Sequence, residues 1–116
     1  MKVLNRIKAN EDFALAIKKG RTFRALSFIL HVRKNEFPHT RVGISVSKKI
    51  GNAVFRNKVK RQTRAMCDSH LDYSKQSLDI VIIIGRSYID KTYDENNDIL
   101  KNILSIVLQE YTHEKK

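Results

Sequence analysis

Between Lys48 and Arg64 the chain places seven basic residues, and no carboxylate occurs from Thr40 through Met66. Laid on a helix at about 100° per residue, Phe55, Val59, Gln62 and Met66 fall in one narrow stripe suited to a core. Arg56, Lys60 and Arg64 then stack at i, i+4 and i+8 on the opposite side, and Asn57 and Arg61 form a parallel row. Like charges at i, i+4 repel by about 0.2–0.5 kcal/mol each. Nothing within the helix relieves that repulsion, whereas a ligand made of phosphates would. Arginine forks grip phosphate bidentately and lysines add point charge. Each neutralised phosphate releases counterions, so such binding is strongly salt-dependent. Nucleic acid is therefore the first expected partner. An anionic membrane ranks second, because no basic amphipathic helix here carries a large aromatic face.

Other residue types offer less chemistry. His31, His39, His70 and His113 are scattered without metal-ligand spacing. Cys67 is the single cysteine; it falls about 120° from the core stripe, near the Arg56 row, and reads as incidental. Asp68, Asp72 and Asp79 fit no carboxylate cage, and Gly43 and Gly51 do not form a phosphate loop. No nucleophile stands beside an oriented base, so the polypeptide by itself is not expected to catalyse, and no metal is expected to be bound by the protein.

The elements that must position the basic segment belong to a chain of 116 residues with a net charge of +11, the size of one domain, expected to span residues 1–116. The charge is segregated: residues 1–64 hold 17 basic and 3 acidic residues, whereas residues 65–116 hold 6 and 9. A positive face of that strength steers polyanions toward it. The longest apolar block is Ile80 to Ile84, far short of a membrane span. The N-terminal residues form no apolar signal segment, so a cytoplasmic location is expected.

Asn10 is expected to cap a first helix that Gly20 ends, with Phe13, Ile17 and two alanines on its apolar side. Residues 21–33 read as extended, residues 35–40 as a turn or loop, and Arg41 to Ser47 as a strand paired to the one before it. Asn52 caps the basic helix, which runs to about Ser69. Residues 79–84 are apolar on both faces and suit the centre of a sheet. A last helix from Thr92 or Asp94 through Leu108 turns Ile99, Ile103, Ile106 and Val107 inward, with Leu100 at the flank. Residues 112–116 read as a frayed end. Helices on one side of a small mixed sheet would leave its other face, or a cleft at its edge, free.

The run Arg56-Asn-Lys-Val-Lys-Arg-Gln-Thr-Arg, preceded by Val46-Ser-Lys-Lys-Ile-Gly-Asn-Ala-Val, closely resembles the RNR motif of the bacterial ribonuclease P protein family. The likeness extends to the Asn10-Glu-Asp-Phe helix, the Arg41-Val-Gly-Ile-Ser strand and the Asp79-Ile-Val-Ile-Ile strand. It implies an α+β fold, an αβββαβα sandwich that is ribosomal protein S5 domain 2-like, with a left-handed βαβ crossover around the basic helix. It implies a protein subunit that helps a catalytic RNA remove the 5′ leader of precursor tRNA. Phosphodiester hydrolysis would then reside in the RNA, with Mg2+ held by the RNA. On this resemblance Arg56, Asn57, Lys58, Lys60, Arg61 and Arg64 contact the catalytic RNA, with Lys48, Lys49 and Asn52 beside them. A cleft between the sheet and the first helix would hold the single-stranded leader, with Phe13, Ile17, His31, Ser45 and Ser47 as its residues. A stacked aromatic suits leaders of any sequence. Where the family often has aromatics this chain has Ile17 and His31, which points to looser stacking.

The same basic helix would also serve a ribosomal or other structural-RNA binder. A helix-turn-helix DNA binder is disfavoured, because a strand rather than a helix precedes Asn52.

Overall fold

The computed structural model describes the backbone of residues 1–114 and the side chains of residues 1–112. The order is α1 (Asn10–Lys19), β1 (Arg21–Arg24), β2 (Phe28–Lys34), β3 (Arg41–Ser45), α2 (Ala53–His70), β4 (Leu78–Ile84) and α3 (Tyr93–Glu114), with short 3-10 turns at Val3–Asn5 and Arg86–Tyr88. This is the expected αβββαβα order.

The sheet runs β1-β2-β4-β3. β4 is buried along almost its whole length, so it takes the centre, antiparallel to β2 and parallel to β3. The expectation that β3 pairs with the preceding strand is therefore corrected. Strand β2 bonds to β4 instead, and α2 is the crossover that returns the chain parallel to β3. The free edge of β3 is met by the N-terminal segment, where Arg6 bridges Val42.

Helices cover both faces, not one. Phe28, Leu30, Val32, Val42, Ile80 and Ile82 form one core with Val59, Met66, Leu100, Leu104 and Val107 from α2 and α3. On the opposite face a smaller cluster joins Ile7, Ala16 and Val81, with Phe13 and Ile83 packed on it. Helix α1 thus lies across part of the second face and leaves the rest uncovered.

Helix ends follow local chemistry. Asn10 does not cap α1: Ala9 precedes it without a side-chain bond, and Asn10 is the first helical residue, with Glu11 and Asp12 in the positive first turn. Gly20 closes the helix by close approach, since a Cβ there would sit 2.4 Å from the Ala16 carbonyl oxygen. At the start of α3, the Glu95 N–H donates to Thr92 Oγ1 at 3.1 Å and the Thr92 N–H donates to Glu95 Oε1 at 2.9 Å, a reciprocal cap. The buried stripe of α3 is Leu100, Ile103, Leu104, Val107 and Tyr111, whereas Ile106 is 53% exposed. Leu100 is central rather than flanking, and Ile106 faces water. The helix continues through Glu114, past the expected fraying point, and residues 115–116 of that expected frayed end lie outside the described residues.

Candidate nucleic-acid interface

Helix α2 begins as its sequence dictates. The Asn52 Oδ1 accepts the Phe55 N–H at 2.9 Å, and the helix then runs unbroken to His70. Its buried residues are Val59, Thr63, Met66 and Cys67, while Phe55 and Gln62 are half-buried. The inward direction is thus rotated by roughly 60° from the stripe that apolarity alone suggests. Thr63 enters the core because its hydroxyl donates to the Val59 carbonyl at 2.8 Å. Cys67 is fully buried, not part of the basic flank, and burial pushes its thiol up to about 12. Gln62 accepts the Tyr88 hydroxyl at 2.8 Å.

That rotation divides the basic residues into two rows. Arg56, Lys60 and Arg64 flank the buried face and are themselves half-buried, while Asn57, Lys58 and Arg61 are exposed. Lys48 and Lys49 stand exposed in the turn before the helix, which the Ile50 N–H closes by donating to the Ser47 carbonyl at 3.0 Å. Asn52 is exposed at the helix start.

The inner row meets residues that the spacing gave no sign of. A cavity of about 260 Å³ is lined by Arg6, Lys8, Phe13, Gly43, Lys60 and Arg64, among others. Arg6 donates one terminal N–H to the Met1 carbonyl at 3.3 Å, but its buried Nε has no partner, and neither has the buried Nε of Arg56. The Arg64 guanidinium is pushed below the usual arginine range, first by burial and then by the charge of Arg6. Four cations around a small cavity, with a buried N–H unspent, make a receptor for an anion. Arg6 and Lys8 precede α1 in a segment without periodicity. The bridge from Arg6 to Val42 on β3, the Asn5 amide on the Thr40 carbonyl and the Met1 ammonium paired with Asp68 of α2 bring this segment beside the helix.

The uncovered part of the α1 face is a groove. Phe13 lies directly on Gly43, where a Cβ would come within 2.5 Å of the ring. Ile17, one turn further on, is 43% exposed. His31 is half-buried on β2 and shares a 3.1 Å hydrogen bond with Thr22. Its imidazole is pushed down from the usual histidine range, first by burial and then by Arg24. Ser45 lies on β3 in register with Ile83, and Ser47 is exposed beyond the strand end. Phe13, His31 and Ser45 therefore share one sheet face, with Ile17 above it and Ser47 outside it.

Beyond α1, Asp79 pairs with Arg41 through Nε at 3.0 Å and Nη2 at 2.6 Å, and Arg41 reaches Asp12 of α1 at 3.4 Å. The Arg41 guanidinium is held above its ordinary range, chiefly by the hydrogen bond to Asp79. The contact of Arg41 with Asp12 ties α1 to the sheet, while the Asp79 bond holds Arg41 in place. Among the described residues, no three His, Cys, Asp or Glu side chains gather as a metal site, and no helix is long and apolar enough to cross a membrane.

A helix that is purely cationic from Arg56 to Arg64, a cationic cavity and a groove beside them define a small basic α+β protein suited to face a polyanion. The family model for ribonuclease P matches residues 1–107. The chain belongs to the ribonuclease P protein family, as a protein component of that tRNA-processing ribonucleoprotein endonuclease. The ribonuclease P protein component of Bacillus mycoides is 41% identical over 96 residues, covering 82% of this chain and 84% of the relative. A Staphylococcus aureus RNase P protein variant with defective mRNA degradation activity matches at a TM-score of 0.81 and 36% identity, covering 90% of this chain and 88% of that one. The Thermotoga maritima RNase P protein matches at a TM-score of 0.74 and 28% identity, covering 85% and 94%.

Proposed function

We propose that this protein, acting as one domain in the cytoplasm, binds the catalytic RNA of ribonuclease P and the 5′ leader of precursor tRNA, and so assists removal of the leader. The exposed row of α2, Asn57, Lys58 and Arg61, and the turn lysines Lys48 and Lys49 meet phosphates of the folded RNA. Arg56, Lys60 and Arg64 close the inner side, and Asn52 holds the helix start. The groove takes the leader: Phe13 offers a ring face, Ile17 and His31 its walls, and Ser45 and Ser47 hydroxyls near the backbone. Hydrolysis resides in the RNA, whose phosphates hold the Mg2+ ions; the protein supplies charge and position. The observation that carries this reading is the cavity ringed by Arg6, Lys8, Lys60 and Arg64 with the Arg6 Nε unsatisfied. A polyanion would relieve the mutual repulsion of such a cluster.

The test is reconstitution with a bacterial catalytic RNA at low magnesium. Added protein raises the rate of precursor tRNA cleavage, and absence of stimulation would overturn the assignment. In the same assay Arg61→Ala weakens assembly and lowers the slope of log affinity against log salt by about 0.9 if it meets one phosphate of helical RNA. An unchanged slope would remove Arg61 from the contact surface.

A further inference from the structure

Helix α1 sets the direction of the groove. It starts with Phe13 over Gly43 on β3 and ends at Gly20 against the Val32 carbonyl on β2. It therefore crosses the strands, and the groove beside it crosses them too. The floor is a single row in register across the whole sheet: Ser45 opposite Ile83, Ile83 opposite Ile29, and Ile29 opposite Arg24. Ile29 and Ile83 are half-buried and apolar, on the face opposite the fully buried Phe28 and Leu30. At the β3 end stand the cations of α2 and its turn. At the β1 end Arg24 is exposed, and no carboxylate among the described residues pairs with it. Its neighbour on the same face is His31, tied to Thr22, and the charge of Arg24 reaches that imidazole.

We propose that Arg24 is the far rim of the groove, binding one backbone phosphate of the single-stranded leader after it has crossed the sheet from β3 to β1. This rests on the groove being the leader site. From Ser45 to Arg24 is three strand spacings, about 14 Å. A strand entering beside α2 lays its bases on the isoleucine floor, where only apolar surface is offered. Its phosphates find cations at the two ends of the row. The guanidinium of Arg24 is solvated and unpaired, so it gains a partner there without losing one. Arg24 is thus a positioning residue that makes affinity depend on leader length.

The experiment measures binding of the reconstituted holoenzyme to two precursor tRNAs at several salt concentrations. One carries a minimal leader and the other a leader long enough to cross the sheet. The quantity read is the difference between their salt slopes, for the native protein, Arg24→Gln and Arg24→Lys. One phosphate on a single strand contributes about 0.7 to the slope, or about threefold in affinity between 50 and 200 mM salt. Arg24→Gln reduces the long-minus-short difference by about that amount, and Arg24→Lys, which keeps the charge, restores it. If the native protein shows the difference and Arg24→Gln keeps all of it, the role of Arg24 is refuted while the groove remains the leader site. If the native protein shows no difference, the groove reading fails and this inference fails with it.

Discussion

Gly43→Ala tests whether Phe13 is held where a base could stack on it. The substitution adds one methyl group to β3. No glycine among the described residues has positive φ, so the backbone at Gly43 accepts alanine without strain. The whole effect then comes from contact. The new Cβ would lie 2.5 Å from Phe13 Cζ, 2.7 Å from Cε1 and 3.2 Å from Ile7 Cβ. Carbon atoms pack at about 3.5–4.0 Å, so the ring must retreat by roughly 1 Å or more. Overpacking of this kind costs about 1–3 kcal/mol. The displaced ring also loses its place on the groove floor. A base stacked on an aromatic contributes about 1–3 kcal/mol, so losing even the low end weakens long-leader substrates about fivefold.

Two assays read the two consequences. Chemical denaturation reads stability, and holoenzyme binding to precursor tRNA with long and minimal leaders reads stacking. Adding Phe13→Ala to Gly43→Ala separates them. In the double variant the clash is gone, so Gly43→Ala costs little further stability on the Phe13→Ala background, while leader affinity stays low. If Gly43→Ala is as stable as the native protein and keeps full leader dependence, the ring does not rest on this strand and the reasoning is wrong.

Two further outcomes follow from the titrating groups. Burial, and then the charge of Arg24, push the His31 imidazole below its ordinary range, so its proton binds more readily in the unfolded chain. Around the ordinary histidine value of 6.5 the unfolded state binds more protons, and stability contributed by His31 is present above that pH and falls as pH drops through it. The melting temperature should therefore decline between about pH 7.5 and pH 5.5, and His31→Gln should flatten the decline; an equal decline in the variant would show that other groups are responsible. Cys67 is fully buried with its thiol at about 12, so a thiol reagent should label it only as the chain unfolds, with a rate that rises with denaturant. Rapid labelling of the native protein would mean that the packed face of α2 opens.

Local chemistry is what the sequence carried plainly. The Asn52 cap, the extent of α2, its run of cations from Arg56 to Arg64 and the central position of residues 79–84 all depend on side chains near one another in the chain, where 3.6-residue and two-residue periods are read directly. The motif from Val46 to Arg64 carried the family. Tertiary structure decided which neighbours those elements meet. Strand β3 alternates as an edge strand would, yet alternation does not say whether it pairs with β2 or β4. The inward face of α2 could not be read from apolarity, because Thr63 and Cys67 are buried by their position against the sheet and α3, where their polar atoms are satisfied or weakly polar. Arg6, Lys8 and Arg24 join the site through an isolated bridge at Val42, the Met1–Asp68 pair and a register opposite Ile29, contacts between residues distant in sequence or in separate strands. A long-range pairing leaves no periodic trace in either partner, and that is why these three arginine and lysine positions became visible only once the chain was folded.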